Sequence, residues 1–118
     1  METIQAKDLR VGNIIHNMLV NEIQTIEEIY RESFNASGCF TTIGYCKPIE
    51  LTEEWLIKFG FKEYIRSNGK TYDLKDFWEI DYENGKYFIS EIEVMDIKYV
   101  HQLQNLYFAL TGKELEIR

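Results

Sequence analysis

Carboxylates recur at every second position in Glu79, Asp81 and Glu83, and Asp73, Asp76, Glu91, Glu93 and Asp96 lie close by in sequence. Oxygen-rich clusters of this kind can hold magnesium or calcium, and a pair of carboxylates can exchange a proton with a substrate. Carboxylates at alternate strand positions also make an ordinary solvated face, and the EF-hand spacing is absent. A solvated face is the expectation. It could still meet a basic partner, or mimic nucleic acid, without any catalytic geometry.

Cys39 or Cys46 with His16 or His101 would supply a thiolate and its base. No third group that would orient such a pair is evident, so two buried, inert cysteines are expected. Two isolated histidines do not make a zinc site. The glycines are scattered, and none has the spacing that cradles a phosphate. Tyr64, Tyr72, Tyr82 and Tyr87 are of the type that stacks nucleobases, although aromatics in a small sheet protein usually build its core.

The C-terminal stretch carries the sharpest pattern. On a helix, Tyr99, Val100, Leu103, Leu106, Tyr107 and Leu110 fall on one side, and Gly112 follows where a left-handed turn can close it. Leu103, Leu106 and Leu110 are expected in the core. His101, Gln104, Asn105 and Phe108 share another side, which places an aromatic among polar groups. Interfaces favour aromatic anchors ringed by polar side chains, so these four form the expected partner-binding surface.

Other elements must position these groups. Leu9-Arg10-Val11-Gly12-Asn13 reads as a turn feeding a short strand, Ile14-Ile15-His16. Ile23, Ile26 and Ile29 recur every three residues, which suits a helix or a bulged strand, and strand is preferred. Arg31 to Gly38 reads as a polar loop, and Cys39 to Cys46 as another strand. Thr52 can cap a short helix whose buried side is Trp55, Leu56 and Phe59 and whose end is Gly60. Asn84-Gly85 is the strongest hairpin signal, joining strands Phe77 to Tyr82 and Lys86 to Ile92. That turn pairs Glu83 with Lys86, Tyr82 with Tyr87 and Ile80 with Ile89, leaving Trp78, Ile80 and Tyr82 on one face.

The 118 residues form one domain without linker or repeat, and their apolar content is globular. Net charge is −7, divided as −3 over residues 1–51, −5 over 52–96 and +1 over 97–118. Such a body repels a phosphate backbone, which disfavours duplex DNA. No stretch is long and apolar enough for a signal peptide or a membrane span. Two cysteines are too few for a disulfide scaffold, and a reducing cytoplasm is the expected compartment.

Three blocks resemble a family of small uncharacterised proteins from Bacteroidota genomes and their phages and mobile elements. They are Leu9 to Asn13, Ile49 to Phe61 and Tyr99 to Gly112, in the family's order. The resemblance implies a cytoplasmic, phage- or mobile-element-borne accessory protein, and brings no activity or site residues. The first block is also similar to the start of KOW-like small β-barrels.

The expected fold is α+β: a small antiparallel, partly barrel-like sheet with one short helix and a longer C-terminal helix. Residues 1–51 are mainly strands, 52–60 the short helix, 61–96 strands with the hairpin at 84–85, and 97–112 the C-terminal helix. The expected function is a non-enzymatic protein–protein interaction protein, for which inhibition of a host system is a conjecture. The alternative is a nucleotide- or nucleic-acid-binding module using aromatic side chains. No catalytic residue, cofactor or metal is expected, and no duplex DNA or membrane among its partners. A homodimer is left open.

Overall fold

Thr52 Oγ1 accepts the Trp55 N–H at 3.4 Å, which opens helix α1 (Glu53–Lys58) with Glu53 and Glu54 at the positive end of its dipole. At the other end Gly60 has φ +94°, and two backbone bonds close the helix: Gly60 N–H to Ile57 and Phe61 N–H to Leu56, both 3.0 Å. This is the double closure that needs a left-handed residue, and its usual apolar contact partners, Leu56 and Phe61, are both buried. Trp55, Leu56 and Phe59 are the buried side, as expected.

The computed structural model describes residues 4–74, 79–89 and 92–118. Its chain divides into two units, residues 1–50 with 99–105, and residues 51–98 with 106–118. The fold is α+β, built from small antiparallel sheets and the C-terminal helix.

The first unit holds two three-stranded sheets. Strands β1 (Ile14–Asn17), β2 (Glu22–Thr25) and β6 (Cys46–Lys47) run in the order β2-β1-β6. Strands β3 (Glu28–Ile29), β4 (Ser33–Ala36) and β5 (Cys39–Thr42) form the other, in chain order. Ile4, Leu9, Ile15, Ile26, Phe34, Ala36 and Cys46 make its core. The preference for strand over residues 19–30 is met by β2 and β3. The polar loop expected over Arg31 to Gly38 is instead β4, in which Phe34 and Ala36 alternate inward between half-buried Ser33 and Asn35. Alternation of this kind is hidden by polar composition. Ser37 and Gly38, at φ +54° and +79°, turn β4 into β5.

The second unit holds α1 and a five-stranded sheet. Its strands are β7 (Lys62–Arg66), β8 (Gly69–Asp73), β9 (Ile80–Glu83), β10 (Lys86–Ile89) and β11 (Ile92–Ile97), in the order β11-β10-β9-β8-β7. Asn84 and Gly85 sit at φ +53° and +78°, the sign a two-residue primed turn requires at both positions. The register is the expected one: Glu83 with Lys86, Tyr82 with Tyr87, Ile80 with Ile89. Phe77 and Trp78, which were expected to begin this strand, and Asp76 and Glu91 lie outside the described residues, as do the side chains of Ile92 and Glu93. The partly barrel-like character expected of the sheet is corrected, because among the described residues each sheet runs between two edge strands that do not pair with each other.

Helix α2 (Val100–Thr111) carries buried Val100, Leu103 and Tyr107. Leu106 is only half-buried and Leu110 is exposed, against expectation. The apolar stripe therefore stops being covered one turn early, and Leu115, beyond the helix, is buried instead.

Candidate functional site

The polar side of α2 turns largely inward. His101 and Gln104 are buried, at 5% and 1% exposure, which corrects the expectation that these two lie on an exposed contact surface. The Gln104 carboxamide accepts the Ile14 backbone N–H at 2.8 Å and donates to the Gly12 carbonyl at 3.0 Å. One side chain thus presents an acceptor and a donor as a neighbouring strand's peptide would. Strand β6 reaches only His16 and Asn17 on that side of β1, and the carboxamide serves the next position. Asn105 accepts from Asn13 Nδ2 at 2.8 Å and donates to the Asp8 carbonyl at 3.2 Å. His101 stacks on Tyr99, with ring centroids 5.9 Å apart. Of the four residues Phe108 is 40% exposed and Asn105 is half-buried. Helical periodicity gave their shared direction and was silent on what lies opposite.

The alternate carboxylates are partly neutralised. Arg66 reaches Glu83 at 2.9 Å and Asp81 at 3.5 Å, and Thr71 donates to Asp81 at 2.8 Å. Among the described residues no group of three or more His, Cys, Asp or Glu is placed to hold a metal.

The cysteines differ from each other. Cys39 is exposed, which corrects the expectation that both are buried. Burial pushes the Cys46 thiol up to about 12, so it stays protonated and a poor nucleophile. Cys46 pairs with Asn17 and Lys47 with His16, so the strand alternation sets Cys46 and His16 on opposite faces of the sheet. They do not form a catalytic pair. His16 Nε2 instead meets Asn21 Oδ1 at 2.8 Å.

Of the four tyrosines, Tyr82 and Tyr87 pack at 4.7 Å between centroids, and Tyr72 and Tyr87 at 6.2 Å. Tyr64 pairs with Thr71, on the other face. Burial, helped by the Glu53 carboxylate, raises the Tyr72 phenol above its ordinary value. Lys70, the cation beside this cluster, is engaged by Glu63 at 3.3 Å and Glu53 at 3.4 Å. A ligand phosphate would have to displace both.

The surface that sequence reading missed is the β1–β2 turn. Met18, Leu19 and Val20 are consecutive, apolar and 44%, 56% and 49% exposed. The loop is tied down: Met18 N–H donates to the Tyr45 carbonyl at 2.8 Å, and Leu19 N–H to Asn17 Oδ1 at 3.0 Å. Asn17 is itself buried and held by Gln24 and Thr41. Below the turn, an open groove of about 690 Å³ is lined by His16, Asn21, Glu22, Ile23 and the 47–50 segment. The available signal was the run Met18-Leu19-Val20 between two asparagines, where a turn would normally be polar.

Among the described residues no helix is long and apolar enough to cross a membrane. In comparisons with known proteins, no family model, curated protein or solved structure matches this chain.

Proposed function

We propose that this chain is a non-enzymatic protein-binding module that engages its partner through the Met18-Leu19-Val20 turn. The observation that carries the reading is three consecutive exposed apolar residues on a loop whose backbone is fixed by a buried asparagine. Such a run has no folding rationale, since burial elsewhere already forms the unit's core. Anchors held in place lose little freedom on association, which favours affinity. The resemblance of the Leu9, Ile49 and Tyr99 blocks to proteins of phages and mobile elements supports an accessory role, with inhibition of a host system as one form of it.

Leu19→Ser with Val20→Ser tests the proposal. The double variant should keep the melting temperature of the parent chain and lose either self-association in sedimentation or retention of a specific protein from a cognate lysate. Unchanged association in a folded double variant refutes the reading.

A further inference from the structure

We infer that strand β2 is a docking edge that accepts an extended segment, alternating apolar and basic residues, as an added strand. The inference rests on the protein-binding reading above and names the partner's chemistry. Ile14 gives its N–H to Gln104, so Ile14 and Thr25 are a pair not hydrogen-bonded to each other. The alternation of an antiparallel ladder then assigns the β1–β2 bonds to Ile15 with Gln24 and Asn17 with Glu22. Met18 N–H, bonded to Tyr45, continues the same alternation on the β6 side. Ile23 and Thr25 therefore aim their backbone N–H and C=O away from β1, at an edge of the sheet that no strand among the described residues pairs with.

Natural edges are usually blunted by lysine, proline or a bulge. Strand β2 has no lysine or proline, and its register with β1 is regular. An incoming residue opposite Ile23 would extend the row Lys47, His16, Ile23, whose face opens into the groove. Ile23 is 58% exposed there, beside Pro48 and Ile49, so an apolar side chain fits that position. Residues on either side of it point to the other face, toward Glu22. From Asn21 to Ile29 the chain carries Glu22, Glu27 and Glu28 and no lysine or arginine. A second copy pairing edge to edge would bring these carboxylates together, whereas lysine or arginine complements them. Main-chain bonds supply affinity in such additions, and alternate side chains supply selectivity.

The probe is a labelled, acetylated peptide of alternating lysine and valine, titrated into the full chain at moderate salt. Two controls accompany it: the same peptide with glutamate for lysine, and one N-methylated at alternate residues, which keeps the charge and removes the ladder donors. The lysine peptide should bind at least about tenfold more tightly than either control and slow hydrogen exchange at the Ile23 and Thr25 amides. Ile23→Pro removes an outward N–H, tolerable on an edge strand, and should abolish binding without lowering the melting temperature. If that variant does not fold, the exchange pattern of the parent chain decides. Equal binding by the N-methylated peptide, or protection elsewhere, overturns strand addition. If the peptides fail while Leu19→Ser/Val20→Ser still loses its partner, the edge proposal falls and the turn proposal stands.

Discussion

The two units secure their strands by opposite means. In the first, neutral carboxamides do it under cover: Gln104 holds Ile14, 90 positions away, and Asn13 holds Asn105. In the second, charged side chains do it in partial view of solvent: Arg66 reaches Glu83, 17 positions away, and Lys70 reaches Glu63, 7 away. A buried amide bond is insensitive to salt and pH but costly to break, because the orphaned partner cannot recover water. An exposed ion pair is inexpensive to lose and is screened. The first unit should thus fail abruptly at single positions, and the second should respond gradually to conditions.

The largest effect is expected at Leu103, fully buried in the first turns of α2. Leu103→Ala should lower stability by about 2–5 kcal/mol. Denaturant unfolding measures it, and an unchanged midpoint would mean that this part of the helix adds little. Gln104→Leu comes next. It keeps the volume and leaves the buried Ile14 N–H unpaired, at about 1–3 kcal/mol; the half-buried Gly12 carbonyl can rehydrate. This loss should be the same in low and high salt. A loss that disappears in high salt would break the contrast between the units.

Third is Gly85→Val. Nothing lies within 4 Å of an added Cβ at Gly85, so the change tests backbone conformation alone. A β-branched residue at φ +78° should cost about 1–2 kcal/mol, read in the same unfolding experiment. A neutral result would mean that the turn readily adopts another conformation.

How much of this was legible follows the same division. Local signals worked: Thr52 and Gly60 bound α1, and Asn84-Gly85 set its own register, because each acts within a few residues. Leu103 was read correctly from periodicity. Gln104 and Asn105 were placed together on one side of the helix, but the burial of Gln104 and the bonds the two make were not legible. Their partners stand about 90 residues earlier, and a sequence does not show that β6 stops short of Ile14. Strand β4 was hidden because polar Ser33 and Asn35 alternate with its two inward residues, and Asn35 Nδ2 finds a partner by donating to Glu28 at 2.7 Å across the strand pair. The Met18–Val20 turn was visible as composition, but its exposure depends on Asn17 holding the loop, a tertiary fact.

The smallest effect is expected at Arg66. Its side chain is 37% exposed and those of its partners Asp81 and Glu83 are 14% and 29% exposed, so solvent and ions reach the cluster. Exposed pairs of this kind contribute at most about 1 kcal/mol, and near 1 M salt the screening length falls to about 3 Å, comparable to the pair itself. Arg66→Met retains most of the aliphatic stem, so packing changes little while the charge is lost. The variant should be destabilised by less than about 1 kcal/mol in low salt and indistinguishable from the parent in high salt. Its two former partners would then repel across one strand face, a repulsion that salt also screens. Unfolding curves at two salt concentrations settle the point. A large, salt-independent loss at Arg66 would show that the second unit relies on a desolvated charge network, and the contrast with the carboxamides of the first would dissolve.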